Sequence, residues 1–177
     1  MTIGSAEFEQ FVAARWPALF RTAYLLTGDA RLAEDVTQSA LANTYARRAR
    51  IRDAHALEAY VRRAQTNLVI SASRRPGHRG EQLTDAPPER GGSDDIAHAT
   101  ERLDLREALD RLSPRQRAVV VLRFYDDLSV AQVAQTLGCS EGNVKKVTHE
   151  AIQRLRGLVP VDLDSDLLGE LSEGSAR

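Results

Sequence analysis

LSVAQVAQTLGCSEGNVKKVTHEAIQRLRGL, residues 128–158, is the stretch whose reading decides the fold. Val130, Val133, Ala134 and Leu137 fall at i, i+3, i+4 and i+7, the apolar stripe of a short amphipathic helix, and Ser129 with Gln132 three residues on marks its capped start. Gly138 stands where the chain must reverse, because a positive φ costs little in a residue without Cβ. Ser140 then caps a second helix carrying Val144, Val147, Ala151, Leu155 and Leu158 on one side. Ala134 is small enough for the helices to cross closely, and Val144 and Val147 lock the second helix back onto the first. This is the pattern of a DNA-binding helix-turn-helix.

Periodicity also picks out the free side of the second helix. At about 100° per residue, the direction opposite the apolar stripe is centred on Gly142, Lys146, His149 and Gln153, with Lys145 at its edge. Bases in a major groove offer mainly acceptors to cationic donors, and a glycine near the helix start lets the backbone approach. A solvated lysine face on an ordinary helical hairpin would carry the same charges. The spacing of the Ala, the Gly and the paired Val favours the groove binder.

Working outward, Ser113-Pro114-Arg115-Gln116 reads as a capping box with Pro at the first helical position, and RAVVVLRFY (117–125) as a helix packed under the pair. Upstream of it Ile96, Leu103, Leu105, Ala108, Leu109 and Leu112 resume an apolar pattern. Before that, PGHRGEQLTDAPPERGGSDD (76–95) is rich in Pro and Gly and nearly free of large apolar residues, so it reads as a flexible linker. The N-terminal part carries Phe8, Phe11, Val12, Leu19, Phe20, Ala23 and Tyr24 at helical spacing, with Pro17 expected to kink or split the helix. Asp29 caps a second helix with the stripe Leu32, Ala33, Val36, Ala40 and Leu41. A third helix starts after Asp53, with Leu57, Tyr60, Val61, Ala64, Leu68 and Ala72 on one face. No segment alternates with period two over a useful length, and the expected fold is all-α.

The chain has 177 residues and a net charge of -1, which argues against a uniformly basic nucleic-acid coat protein. Its charges are segregated: between Arg47 and Arg75 stand eight arginines (47, 48, 50, 52, 62, 63, 74 and 75) against Asp53 and Glu58. The stretch from Pro76 to Leu112 and the tail after Pro160 are acidic. The single cysteine, Cys139, excludes an internal disulfide. No apolar run reaches membrane-spanning length and MTIGSAEFEQ lacks signal-peptide features, so a cytoplasmic location is expected. Neither Cys139 with His149 nor the histidines at 55, 78, 98 and 149 have nucleophile or metal-ligand spacing, so catalysis, a metal and a cofactor are not expected.

The order of the parts carries a resemblance: AEDVTQSAL (33–41), the basic helix AYVRRAQTNLVISASRR (59–75), a linker, then LSPRQRAVVVLRFYDDLSVAQVAQTLGCSEGNVKKVTHEAIQRLR (112–156). It resembles the extracytoplasmic-function (ECF) group of bacterial RNA polymerase sigma factors within the sigma-70 family, in particular the actinobacterial sigma-E-like branch. The likeness covers about residues 5 to 158, with motifs in two domains in the right order. It implies two small helical domains: a sigma region 2 bundle (1–75) and a sigma region 4 helix-turn-helix (96–160), joined by the linker 76–95 and followed by an acidic tail (161–177).

The implied partners are core RNA polymerase, through its β' clamp helices and β flap, promoter DNA and, in many members, an anti-sigma factor. Asp35 and Gln38 match the core-binding helix, while Thr37 and Ser39 stand where an apolar residue and Glu are common. Tyr60, Arg62, Arg63, Asn67, Arg74 and Arg75 match the helix facing the minus-ten element. The loop from about Arg47 to Ala54 matches the segment that holds an extruded base. Ser140, Gly142, Asn143, Lys145, Lys146 and His149 match the reader of the minus-thirty-five element, with Lys145 where arginine is common. The alternatives are a stand-alone helix-turn-helix regulator, for which no second amphipathic seam for dimerisation is visible, and a helical adaptor.

Overall fold

The computed structural model describes residues 3–51, 53–73 and 105–156. Among them every regular element is helical. The N-terminal half consists of α1 (Ser5–Thr27), α2 (Ala30–Tyr45) and α3 (Ala54–Ser73), with a 3₁₀ turn at Arg48–Arg50 between the last two. The C-terminal half runs through α4 (105–110) and α5 (Pro114–Val120), a π turn (Val121–Tyr125), α6 (Val130–Leu137) and α7 (Glu141–Leu155). The expected linker 76–95, the tail 161–177, Arg52, Arg74, Arg75, His78, Ile96, His98, Leu103 and Leu158 lie outside the described residues.

The caps fall where the sequence puts them. Asp29 Oδ1 accepts from the Leu32 amide at 2.7 Å, and Asp53 Oδ1 from the Ala56 amide at 2.8 Å. Ser113 with Gln116 and Ser129 with Gln132 each close both bonds of a capping box. Gly138 ends α6 at φ 63°, and Ser140 Oγ accepts from the Asn143 amide at 3.2 Å. Each cap contributes about 1 kcal/mol, enough to set where a short helix such as α6 begins.

Pro17 does not split the helix: α1 runs continuously through it. The Pro17 ring is exposed, while Phe8, Phe11 and Leu19 on either side are pinned in one apolar cluster with Ala40, Leu41, Ile51, Leu57 and Val61. Burying such side chains gains roughly 1.5–3 kcal/mol each, which offsets the ~3 kcal/mol of an interior proline. Tyr60 corrects the sequence reading: it leaves the buried stripe of α3 and is 44% exposed. Thr37, where an apolar residue is common, is fully buried. Its hydroxyl donates to the Ala33 carbonyl at 2.7 Å and accepts from Gln65 Nε2 at 3.1 Å, which also donates to the Leu19 carbonyl at 3.0 Å. This polar knot ties all three N-terminal helices at one point.

In the C-terminal half Val119 and Leu122 form the floor on which Val133, Ala134, Val144 and Val147 close the helix-turn-helix. Ile152, absent from the expected stripe, is buried beside Ala151. The π turn is a feature that periodicity did not announce. It closes with the Asp126 amide on the Val121 carbonyl at 3.0 Å, and Asp127 follows at φ 52°.

The two halves also meet. Leu26 of α1 shares a buried cluster with Leu109, Leu112, Ala118, Val121 and Ala151, and Val69 and Ile70 of α3 pack against it. Arg117 reaches across to the Leu26 carbonyl at 3.3 Å while pairing with Asp110 at 3.0 Å. Burial lowers the pKa of its guanidinium and Asp110 works the other way. Gly28, at φ 73°, fits against this pair: a Cβ there would lie 3.2 Å from Asp110 Oδ1.

Candidate nucleic-acid interface

Three groups of side chains point away from the cores. On α7 the capped start and the valine stripe fix the helix rotation, leaving Gly142, Lys145, Lys146, His149 and Gln153 exposed as the spacing predicts. Lys146 is 75% exposed and stands 4.0 Å from Glu150, a loose i,i+4 pair that water screens. Ser140 is exposed at the cap and Asn143 is half-buried. Around Gly142 a Cβ would meet no atom within 4 Å, so the space before the α7 N-terminus is open. Backbone amides, a half-positive helix end and two lysines share that face, which suits phosphates and base acceptors.

The second group lies where α2 runs into α3. Arg48 stacks on Tyr45 with its guanidinium carbon 3.8 Å from the ring centroid and donates to the Tyr45 carbonyl at 3.1 Å. Tyr45 is 38% exposed and meets Phe8 in a T-shaped contact with ring centroids 5.2 Å apart. Arg47 and Arg50 are exposed beside it, and buried Ile51 anchors the loop. A rigid aromatic ring with a guanidinium on its face, in an arginine-rich loop, can stack a base and hold its phosphate. Tyr45 was missed from sequence. Its signal was an aromatic residue immediately before the arginine run, at the end of an apolar helix.

On α3, Tyr60, Arg63 and Asn67 are exposed, but Arg62 is not free to act with them. Its side chain is 19% exposed and pairs with Glu58 at 2.6 Å and with Asp126 of the other half at 3.1 Å. Glu58 also pairs with Arg15 of α1. Thr22 of α1 donates to the same Asp126 carboxylate at 2.8 Å. Burial raises the Asp126 pKa, and Arg62 and Thr22 work against that rise. A cleft of about 160 Å³ lined by Ala59, Tyr60, Arg63, Gln135 and Thr136 marks where α6 lies against α3. The structure thus gathers Tyr60, Arg63 and Asn67 on one helix face and turns Arg62 into the seam. Asp126, its partner there, was not singled out from sequence.

The third group is on α2, where Asp35 and Gln38 are exposed on the side opposite buried Val36 and Ala40. Gln38 donates to Glu34 at 3.1 Å, which makes an acidic, amide-bearing patch. Cys139 is half-buried against the helix-turn-helix core. Among the described residues no group of three His, Cys, Asp or Glu side chains comes together to hold a metal, and no helix is long and apolar enough to cross a membrane.

Residues 108–157 match the family described as Sigma-70, region 4. The chain is 40% identical over 167 residues, covering 92% of both chains, to an RNA polymerase sigma-E factor of Streptomyces coelicolor. It is 34% identical over 155 residues, 85% of each chain, to the ECF RNA polymerase sigma factor SigL of Mycobacterium tuberculosis. Among solved structures it is similar to the sigma factor RpoE of Bartonella quintana, crystallised with the anti-sigma factor NepR. That likeness has a TM-score of 0.71 and 26% identity, and covers 88% of this chain and 98% of that one.

Proposed function

The chain belongs to the ECF RNA polymerase sigma factors, and from that premise we propose how its surfaces share the work of binding core polymerase and starting transcription at chosen promoters. Residues 1–75 engage core polymerase and the minus-ten element, residues 96–160 read the minus-thirty-five element, and 76–95 connects them. Asp35 and Gln38 on α2 dock on core polymerase, through its β' clamp helices. Tyr60, Arg62, Arg63, Asn67, Arg74 and Arg75 hold the opening minus-ten duplex. Tyr45 with Arg48 receives an extruded base. Ser140, Gly142, Asn143, Lys145, Lys146 and His149 enter the upstream major groove while the C-terminal half docks on the β flap.

The observation that carries this reading is that one chain presents two different exposed cationic surfaces on separate helices, the outward side of α7 and the Arg48–Tyr45 stack. The α7 face is built to read duplex, and the Tyr45–Arg48 stack to hold an unpaired base. A stand-alone regulator needs only the first. The protein acts in the cytoplasm through polymerase and is not a catalyst by itself. An anti-sigma partner, of the kind that holds the Bartonella protein in its crystal, fits the same reading.

The test is transcription in vitro with purified core polymerase on genomic DNA, with and without the full chain. Start sites that appear only with the protein support it. Tight sequence-specific binding of duplex by the free protein, with no new start sites, favours the stand-alone regulator.

A further inference from the structure

We propose that Asp126 is an intramolecular latch: its carboxylate, held by Arg62 and Thr22 of the N-terminal half, keeps the two halves shut and occupies a guanidinium that would otherwise meet promoter phosphate. The closed body is incompatible with reading a promoter. Elements named for positions 10 and 35 are roughly 25 base pairs apart, about 85 Å at 3.4 Å per step. A compact chain of this length spans about 40 Å. Opening is therefore part of the working cycle, and the seam is the contact that must break. This inference rests on the division of labour proposed above for α3 and α7.

The geometry of the seam is specific. The π turn adds a residue to the helical repeat, and left-handed Asp127 turns the chain away immediately after it. Together they leave the Asp126 side chain only 6% exposed and aimed at α1 and α3. π turns of this kind recur at functional sites. Both carboxylate oxygens are engaged, Oδ1 by Thr22 at 2.8 Å and Oδ2 by Arg62 Nε at 3.1 Å. A carboxylate on a guanidinium copies what a phosphate would do there. Elsewhere around α3, Gln135 and Thr136 of α6 share a cleft of about 160 Å³ with Ala59, Tyr60 and Arg63, and Tyr60 and Arg63 stay exposed there.

The latch is poised and not permanent. Desolvation is the largest influence on the Asp126 carboxyl, and it outweighs the help from Arg62 and Thr22. Opening returns both charges to water, which lowers the cost of separating them. Core polymerase or DNA, binding only the open form, would draw the equilibrium by mass action.

The test uses the full chain with Cys139→Ser, donor and acceptor dyes on cysteines placed at exposed Ala14 and Ala131, and a fluorescein-labelled 20-nucleotide single-stranded DNA of mixed sequence. Asp126→Arg sets a buried cation against Arg62, and energy transfer should fall. The swapped pair Arg62→Glu with Asp126→Arg should restore it. Glu107→Arg makes the same change of charge at an exposed site away from the seam and should leave transfer alone. Affinity for the DNA should rise about tenfold in Asp126→Arg and about twofold or less in Glu107→Arg.

Unchanged transfer in a folded Asp126→Arg protein overturns the latch and leaves the reading of α3 untouched. Should Asp126→Arg fail to fold, Thr22→Val takes its place: it keeps shape, removes one bond and should lower transfer part of the way, and unchanged transfer there overturns the latch equally. A fall in transfer with no more DNA gain than Glu107→Arg upholds the latch as a conformational lock and overturns instead the assignment of Arg62 to DNA.

Discussion

The α7 face and the α3 face carry similar chemistry in opposite states. On α7, Lys146 and His149 stand in solvent and the approach to Gly142 is clear. On α3, Arg62 is held by Glu58 and by an aspartate from the other half, and α6 lies alongside Tyr60 and Arg63. The difference arises below the surface. α7 is oriented by a core of its own, Val133, Val144 and Val147 on Leu122, so its outer side is left over for a ligand. The face of α3 adjoins Val69 and Ile70, which need the C-terminal half to cover them. A helix face is available only when the apolar side behind it is satisfied locally.

The largest effect should come from removing that local satisfaction. Leu122 is fully buried beneath both α6 and α7. Leu122→Ala should cost about 2–5 kcal/mol, from lost burial and a cavity. Because the halves share a cluster, the loss should move a single cooperative thermal transition. Two separate transitions, with the one from α1–α3 unmoved, would show that the seam does not couple them.

Next in size are changes on the faces themselves. Lys146→Ala should cost on the order of 1–3 kcal/mol at one or two base pairs of the upstream element and leave minus-ten preference alone. Equal loss across all upstream sequences would mark Lys146 as a phosphate anchor. Asp35→Arg should weaken binding to core polymerase while stability changes by no more than ~0.5 kcal/mol, since Asp35 is exposed. Normal circular dichroism with unchanged core affinity would remove α2 from the docking surface.

Two glycines sharpen the contrast with one substitution. Gly28 sits at φ 73° with Asp110 close by, so Gly28→Ala should destabilise by ~1–2 kcal/mol. Gly142 is helical and open, so Gly142→Ala should stabilise by up to ~1 kcal/mol. Only the second should weaken upstream DNA binding. Denaturant melts read the signs, and loss of stability in both would mean that the α7 N-terminus is not open in solution.

Much of the fold was readable because its signals are local. Capping boxes at Ser113 and Ser129, the Gly138 turn and the valine stripe of α7 each depend on residues within one or two helical turns, and the structure places them as the spacing implies. Pro17 does not split α1, because its cost is local while the packing of Phe8, Phe11 and Leu19 that offsets it is not. Tyr60 fits an apolar stripe by period, yet no neighbouring helix covers it. Asp126 was invisible for a different reason. Its meaning comes from Thr22 and Arg62, 104 and 64 residues away along the chain, and from a π turn that breaks the very period used to read helices. The outward residues of α7 were foreseeable from rotation alone. The engagement of Arg62 was not, because it belongs to the seam between the halves and not to α3.

The smallest effect is also the most pointed, and it follows from the direction in which Asp126 titrates. Its carboxyl is raised above the ordinary 3.8 in the closed form, chiefly by desolvation. In the open form it is solvated and titrates near that ordinary value. The closed form therefore binds a proton more readily, and closure gains as pH falls. The gain is complete below the ordinary value and is lost as pH rises through the raised one. The charged groups facing Asp126 are Arg62 and, through it, Glu58 on α3, while α1 contributes only the Thr22 hydroxyl. Energy transfer between the halves should rise modestly as pH falls toward the ordinary carboxylate range. Asp126→Asn keeps the shape and an acceptor for Thr22 but has no proton to gain. Its transfer should be nearly flat with pH. A slope that survives in Asp126→Asn would take the titration away from Asp126, whereas a flat profile in both proteins would show that closure does not desolvate its carboxyl.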